Sequence, residues 1–255
     1  MKTRFFAACL GCLGVLLPAL AGAEGAPASD PSPELDALYA KRDDPAVAKQ
    51  LEGAVDAALK AHPNDYGVLW RASRQKYWLS DANGLDEKQK RQLGKEGWDL
   101  GDRATKANPN GAEGLYFAAI GMGSYSQAVG ILKAIGEGLE GEYNDRLDKS
   151  IKLNDDFDVA GPLVAKGRYY YELPWPKRNL EKSRETLGKV VARHPESLRA
   201  HLYLAESLLK DGEAKKAKEE IDKVAAGSLD YDPPEARRIK ERAKPVAEKI
   251  AKELK

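Results

Sequence analysis

The sequence predicts an all-α fold made of repeated helical hairpins, and two observations support this class. First, four short strings of similar sequence recur along the 255 residues. They are Lys60–Asn64, Lys106–Asn110, Lys152–Asp156 and Ala192–Glu196. Their third positions, at residues 62, 108, 154 and 194, are spaced by 46, 46 and 40 residues, as in helical repeat proteins. Second, no stretch alternates apolar and polar residues for long enough to form a half-buried strand.

The helix before the first string has the clearest pattern. Asp44-Pro45 is a start signal, because aspartate caps a helix and proline fits its first turn. One apolar face follows at four-residue intervals, made by Val47, Leu51, Val55 and Leu59. The pattern predicts a helix that ends near His62-Pro63.

Similar patterns predict further helices. Their expected ranges are residues 68–79, 86–107, 111–139, 144–153, 198–210 and 213–224. Gly94, Gly97 and Gly101 lie on one face of the helix over residues 86–107. Glycine weakens a helix interior by about 1 kcal/mol relative to alanine. We therefore expect either a close approach of a second helix on this face or a locally weak helix.

The last of these hairpins has the residue spacing of a tetratricopeptide repeat. The matching positions are Leu204, Ala205, Leu208, Gly212, Ala217, Ile221 and Val224. The earlier units match this repeat only at their ends, and they carry insertions between. The sequence thus predicts tetratricopeptide-like helical hairpins that form a solenoid over residues 34–232. Residues 233–255, which begin at Pro233-Pro234, predict a charged helix that caps the last hairpin.

The N-terminus has the pattern of an export signal. Lys2 and Arg4 precede an apolar run, and Ala21-Gly22-Ala23 supplies the small residues that a signal peptidase requires. We expect a signal peptide over residues 1–23, cleavage near Ala23, and a periplasmic or secreted protein. Lipid attachment at Cys12 is the less favoured alternative, because the apolar run continues beyond that cysteine. Residues 24–33, rich in proline, alanine and serine, predict a flexible linker.

Composition excludes several classes of function. The 41 basic and 40 acidic residues are nearly balanced, which argues against nucleic-acid binding. Both cysteines, Cys9 and Cys12, lie in the predicted signal, so thiol chemistry is not expected in the mature chain. The three histidines lack the spacing of a metal site. The acidic cluster at residues 155–158 lacks the glycine and glutamate of a calcium loop. We expect no enzyme activity, no cofactor and no metal.

Several short motifs, taken in order, resemble the T-component family of TRAP transporters. They are Leu69–Arg74, Ala107–Asn110, Glu113–Ala118, Gly161-Pro162, Gly167–Tyr170, Leu173-Pro174 and Leu180–Ser183. This resemblance implies an all-α bundle of tetratricopeptide-like hairpins around a pore or cleft. It also implies a periplasmic accessory protein that partners the solute-binding protein of a tripartite, ATP-independent transporter.

Aromatic residues are the candidate ligand- or partner-binding residues. The first helices of solenoid hairpins line the concave face, and most of these residues fall there. They are Trp70, Tyr77, Trp78, Tyr116, Tyr169, Tyr170, Tyr171 and Trp175. Three consecutive tyrosines cannot all face inward on a helix, so at least one of them must face a groove, a neighbour or solvent. Trp175 lies between two prolines and is either a packed plug or an exposed contact.

The sequence therefore indicates an exported, non-catalytic binding and assembly module. One hypothesis is the transporter-associated role, with a solute-binding protein as partner and a small apolar or organic-acid ligand. The alternative is a cell-envelope tetratricopeptide scaffold for protein–protein interaction, with another envelope protein as partner. A homo-oligomer is compatible with either hypothesis.

Overall fold

The computed structural model describes residues 30–255, and this range contains twelve helices and no strand. The helices are α1 Ser32–Tyr39, α2 Pro45–Ala61, α3 Tyr66–Ser80, α4 Glu87–Ala107, α5 Ala112–Val129, α6 Ile131–Gly136, α7 Leu139–Leu153, α8 Phe157–Glu172, α9 Leu180–Arg193, α10 Leu198–Lys210, α11 Ala214–Ala226 and α12 Pro233–Glu253. The predicted signal peptide, Cys12 and most of the predicted linker lie outside the described residues. The linker's predicted end at residue 33 overlaps α1, which begins at Ser32.

Successive helices pack as antiparallel hairpins. The pairs are α1 with α2, α3 with α4, α5 with α7, α8 with α9, and α10 with α11, while α12 packs on α11 and α10. Each hairpin also contacts the next, as α4 with α5 and α9 with α10. The predicted all-α, tetratricopeptide-like solenoid is confirmed. None of the described helices is long and apolar enough to span a bilayer.

The four recurring strings end the second helix of each of the first four hairpins. Their third residues, His62, Asn108, Asn154 and His194, are the C-caps of α2, α4, α7 and α9. At three of these junctions the carbonyl of the C-cap accepts a hydrogen bond from the amide three residues later, at 3.1–3.2 Å. The third junction, after Asn154, is built differently, and this difference shapes the cavity described below.

Glycine brings α4 and α5 into close contact, as one of the two sequence hypotheses expects. A Cβ atom added to Gly101 would lie 2.4 Å from the backbone nitrogen of Ala118. A Cβ added to Gly121 would lie 2.5 Å from the backbone nitrogen of Trp98. Because backbone atoms cannot move aside as a flexible side chain can, larger residues are excluded at both positions.

The single helix predicted over residues 111–139 is wrong. The chain breaks between α5 and α6 at Gly130, whose φ of +94° a residue with a side chain rarely adopts. A second break follows at Gly138, with φ +81°, and α7 therefore begins at Leu139 rather than at residue 144. The insertion in this hairpin is thus the short helix α6.

Two apolar clusters make up most of the core. One joins α1–α5 and α7 around Phe117, Leu69 and Leu147. The other joins α8–α12 around Leu187, Ile239 and Val224. A cavity lies between residues of the two clusters, which gives the solenoid a hollow centre instead of one continuous core.

Candidate functional site: the central cavity

The central cavity has a volume of about 540 Å³. Its walls come mainly from the first helices of successive hairpins, α1, α3, α5, α8 and α10, and from the start of α12. Volumes of about 300–1,000 Å³ are typical of ligand sites. The cavity communicates with solvent, because its lining includes the exposed residues Ala40, Gln127, Glu196, Ser228 and Tyr231, and we call the edge formed by the last three its mouth.

Aromatic rings form one apolar wall of the central cavity. Trp70 of α3 stacks on Phe117 of α5, with ring centres 5.9 Å apart and planes 4° from parallel. Phe157 meets the edges of Trp70 and Phe117 at 6.2 and 6.0 Å. Tyr116 completes the cluster at 5.8 Å from Phe157. Such pairs add to the stabilisation from burial alone, so this wall is rigid.

A ladder of alternating arginine and aromatic side chains forms a second wall, and its two end residues, Arg71 and Arg238, lie outside the cavity lining. Its order is Arg71, Trp70, Arg74, Tyr39, Arg42, Trp78 and Arg238, with guanidinium-to-ring distances of 3.1–4.9 Å. The buried Nε atoms of Arg42 and Arg74 have no hydrogen-bond partner among residues 30–255. Their planar groups are instead stacked on the rings, which is a favourable cation–π arrangement. The ladder joins α12 to α1 and α3.

Asp81, at the C-cap of α3, is the centre of a charged junction between the two ends of the chain. We call Asp81, Arg199, Arg238 and Arg242 the Asp81 junction. The Asp81 carboxylate lies 3.2 Å from Arg199, 3.7 Å from Arg238 and 3.0 Å from Arg242. The backbones of α12 and α3 do not approach closely, so long side chains alone bridge them. The junction therefore closes the superhelix around the central cavity.

Burial and charge act in opposite directions at the Asp81 junction. Burial favours protonation of Asp81, but the three arginines outweigh it and lower the pKa of this carboxyl. Burial, together with the like charges of Arg242 and Arg199, lowers the pKa of Arg238 to about 10, against the attraction of Asp81. Both groups remain charged at neutral pH, so the bridge between α3 and α12 is ionic.

The four arginines that line the cavity are all paired with carboxylates. Arg42 donates to Asp232 at 2.7 Å, and Arg74 donates to Asp36 at 2.6 Å. Arg168 donates to Glu206 at 2.5 Å and to Glu172 at 2.6 Å. Arg199 pairs with Glu235 and also donates to the hydroxyls of Tyr77 and Tyr203. The cavity therefore has no unpaired guanidinium among its described lining residues.

A left-handed turn after α7 brings Asp158 into the cavity wall. Asp158, Val159 and Ala160 have φ values of 53°, 54° and 58°. This conformation is unfavourable by roughly 1–2 kcal/mol for each residue that is not glycine. The regular part of α8 then begins at Gly161-Pro162, where proline suits a first turn. The strained turn is the insertion that distinguishes the third junction.

Asp158 is exposed to solvent through the cavity, although protein atoms lie close enough around its carboxyl group to reduce its hydration. No hydrogen bond or ion pair to its carboxylate is present in the described part of the chain. Burial raises its pKa to about 6, and the nearby carboxylates Glu235 and Asp232 add to this, against the weaker effects of Arg74 and Arg199. Asp158 is thus an unpaired, reluctantly charged acid in the cavity wall.

Asp158→Asn should stabilise the folded protein at neutral pH. In the folded protein the pKa of Asp158 is about 6, above its usual value of 3.8. Wild type therefore loses stability as the pH rises between these two values, whereas the Asp158→Asn variant does not. We expect a gain of about 1 kcal/mol at pH 8 after allowing for screening by cavity water. Urea denaturation of wild type and variant at pH 8 and pH 4 measures this gain in stability. The pH-dependent gain should vanish at pH 4, whereas an equal gain at both values would show that only the backbone preference of asparagine matters.

Four of the predicted site residues lie together. Trp70, Tyr77, Trp78 and Tyr116 all line the central cavity. Trp78 and Tyr77 are engaged internally, Trp78 between Arg42 and Arg238 and Tyr77 as an acceptor for Arg199. The rings of Trp70 and Tyr116 belong to the aromatic wall.

The other four predicted site residues lie outside the central cavity. Tyr169 stacks on Tyr143, donates to Glu140 at 2.9 Å, and lines an adjoining pocket of about 100 Å³ that shares Tyr143 and Arg168 with the central cavity. Tyr170 lies near Lys166 and Lys182, and Tyr171 near Arg168 and Lys210. Trp175 is 86% exposed on the loop before α9, so the packed-plug alternative does not hold. A binding role for these four remains a prediction.

Three residues of the site are not singled out by the sequence. Asp81 falls in a stretch typical of a turn, and Asp158 in an acidic cluster typical of a solvated surface. Arg199 carries no sequence signal, because its partners are 118 and 36 residues away.

His201 is buried and contacts Glu220 of α11 and the carbonyl of Pro195. Within residues 30–255, no group of three or more potential ligands is placed to hold a metal ion.

The fold and the cavity define a tetratricopeptide-like helical repeat protein with a concave, aromatic-lined interior. Sequence comparison then assigns the family. Residues 33–179 match the model of the RMD1-3 family, described as "Regulator of microtubule dynamics protein 1-3", and the chain belongs to this family. The match covers α1–α8 but not α9–α12, and of these later helices α10 and α12 supply cavity wall and the cations of the Asp81 junction. No curated protein is significantly similar in sequence.

The fold agrees with that of a solved structure, TTC0263. TTC0263, a tetratricopeptide protein of Thermus thermophilus, has a TM-score of 0.62 at 18% identity, covering 85% of this chain and 96% of that one. MamA has a TM-score of 0.45 at 17% identity, covering 76% and 89%. None of these comparisons links the chain to the TRAP transporter family that the sequence motifs resemble.

Proposed function

We propose that this protein is a protein–protein interaction module that binds a segment of a partner in the central cavity. The observation that carries the proposal is the cavity itself, about 540 Å³ in volume and walled by the inner helices of successive hairpins. Its aromatic wall offers apolar contact at little loss of side-chain freedom, because the rings are already fixed against one another. This role corresponds to the scaffold alternative drawn from the sequence.

The identity of the partner has two candidates. A solute-binding protein of a transporter remains one candidate, supported by the sequence motifs alone. The family description supplies a second, microtubules, because it names regulators of microtubule dynamics. A small organic acid fits the cavity poorly, since its carboxylate would meet the unpaired carboxylate of Asp158. We also propose export of the chain, on the pattern of residues 1–23, and Glu24 should then be the first residue of the protein isolated from its own cells.

Blocking the mouth of the cavity should abolish partner capture. Ser228 is exposed at the mouth, so Ser228→Trp adds bulk there without disturbing the core. Tagged wild type and variant are each used to capture proteins from an envelope extract of the source cells. In a separate experiment, each is tested for binding to polymerised tubulin. We expect the variant to recover less than about a tenth of the partner that wild type recovers, as loss of a central contact does.

Leu132→Trp is the matched control, because Leu132 is 74% exposed on α6 and does not line the cavity. This variant should capture the partner as wild type does. Equal capture by Ser228→Trp and wild type would show that the partner binds elsewhere. Reproducible absence of any captured protein from wild type would count against the interaction module itself.

A further inference from the structure

We propose that the central cavity recognises a lysine or arginine side chain of the bound segment, with Asp158 as its ion-pair partner. The inference rests on the proposed function and goes beyond it, because it specifies the chemistry that the partner must present. It is carried by the geometry of the cavity and by the distribution of charges along its wall.

The first step is charge complementarity. Six carboxylates and four guanidinium groups line the cavity, and Arg71, Arg238 and Arg242 bind two of these carboxylates from outside the lining, so any uncompensated negative charge is local to single carboxylates. Asp36, Asp81, Asp232 and Glu235 are each bound to arginine. Glu196 at the mouth contacts the ring of His194 at 3.2 Å. Asp158 is the sixth, and its carboxylate has no such partner within residues 30–255.

The second step is the backbone that holds Asp158. Three consecutive left-handed residues, one of them the β-branched Val159, form a conformation that L-amino acids avoid. Strain of this kind persists where the surrounding structure enforces it, and it is concentrated at binding and catalytic sites. Here the turn replaces the plain junction of the other repeats, and its effect is to place one carboxylate in the cavity wall.

The third step is the apolar surface around the carboxylate. A Cβ atom added to Gly161 would lie 2.8 Å from the Tyr116 hydroxyl and 3.3 Å from the Asp158 Cβ, so both side chains adjoin Gly161. Phe157 precedes Asp158 in the chain and packs on Trp70. Lysine and arginine have an apolar stem and a charged end, which match an aromatic wall that leads to a carboxylate. A neutral segment would leave this acid unpaired and partly desolvated, which is unfavourable.

Proton binding gives an independent signature of the ion pair. The pKa of about 6 in the free protein reflects burial and the facing carboxylates Glu235 and Asp232, opposed by Arg74 and Arg199, while Tyr231 and Glu196 lie at the mouth. A bound cation favours the charged form and lowers the pKa of Asp158. Cation binding should therefore weaken by about tenfold between pH 7 and pH 5, because Asp158 becomes protonated.

The test is selection of peptides from a random library on the full chain, followed by affinity measurement of the selected peptides at pH 7. We expect the selected peptides to be enriched in lysine and arginine. We also expect these peptides to bind the Ser228→Trp variant much more weakly than wild type. Asp158→Asn should weaken binding by about tenfold or more, since it removes a charge-assisted contact. Asp155→Asn is the matched control, because Asp155 pairs with Arg193 outside the cavity, and it should leave affinity unchanged.

The outcomes separate this inference from the proposed function. Peptides that bind in the cavity without basic enrichment, or bind Asp158→Asn as well as wild type, would overturn the recognition of a cation and leave the interaction module standing. If no selected peptide is sensitive to Ser228→Trp, both proposals fail. A carboxyl ¹³C titration confirms that Asp158→Asn has removed the group with the raised pKa, and thermal unfolding confirms that the variant is folded.

Discussion

Replacing Asp81 by alanine should lower the free energy of unfolding by about 3 kcal/mol. The substitution leaves the partly buried cations Arg238 and Arg242 without their carboxylate, and leaves Arg199 with Glu235 as its one carboxylate partner. Side chains carry the bridge between α3 and α12, so no backbone packing compensates for the loss. Urea denaturation followed by circular dichroism measures the effect.

Two further variants test whether loss of the Asp81 junction causes this destabilisation. Asp145→Ala removes an exposed carboxylate that pairs with Lys149 within α7, and it should change stability by less than about 0.5 kcal/mol. Combining Asp81→Ala with Arg242→Met should cost less than the sum of the two single changes, because the second removes a cation that the first left unpaired. A loss below about 1 kcal/mol for Asp81→Ala would show that water screens the junction and that it does not close the superhelix.

Gly101→Val should destabilise the protein by about 3 kcal/mol through overpacking. A Cβ at this position meets the backbone of Ala118 at 2.4 and 2.6 Å, so α4 and α5 must separate to accept any side chain. These two helices form an extensive helix–helix contact and support Trp70 and Phe117 of the aromatic wall. Thermal or urea unfolding measures the loss.

Gly188 provides the matched comparison within another helix. It lies inside α9, and a Cβ added there meets nothing within 4 Å. Gly188→Ala should therefore stabilise the protein by about 0.5–1 kcal/mol, through helix propensity alone. If Gly101→Val and Gly188→Ala changed stability in the same direction, the close approach of α4 and α5 would not be what requires glycine at residue 101.

Much of the architecture could be predicted from the sequence because it depends on local signals. The strings at residues 62, 108, 154 and 194 mark the C-caps of four helices, and the glycines of α4 mark a close packing face. The breaks at Gly130 and Gly138 could not be predicted, since glycine inside an apolar stretch does not reveal its own φ angle. The left-handed turn at Asp158 has no sequence signature, because no glycine occupies it.

The site was only half predictable, for a physical reason. Helical periodicity identifies the inward face of a first helix, so the sequence predicts that the aromatic residues Trp70 and Tyr116 line the concave side, where the cavity lies. The Tyr169–Tyr171 run is prominent in composition, yet α8 directs these rings to other neighbours. Asp81 and Arg199 are 118 residues apart, and contacts at that separation follow from the closure of the superhelix, which no local pattern records.

Photo-crosslinking from the mouth of the cavity tests the central claim most directly. A photoreactive benzoylphenylalanine replaces Tyr231, which is 57% exposed and lines the cavity, in the chain expressed in its own cells. The same residue in place of Trp175, which is 86% exposed on the loop before α9 and is not part of the cavity lining, is the comparison. We expect a discrete crosslinked partner from position 231, and its loss when Ser228→Trp is added. A partner crosslinked only from position 175 would contradict binding in the central cavity.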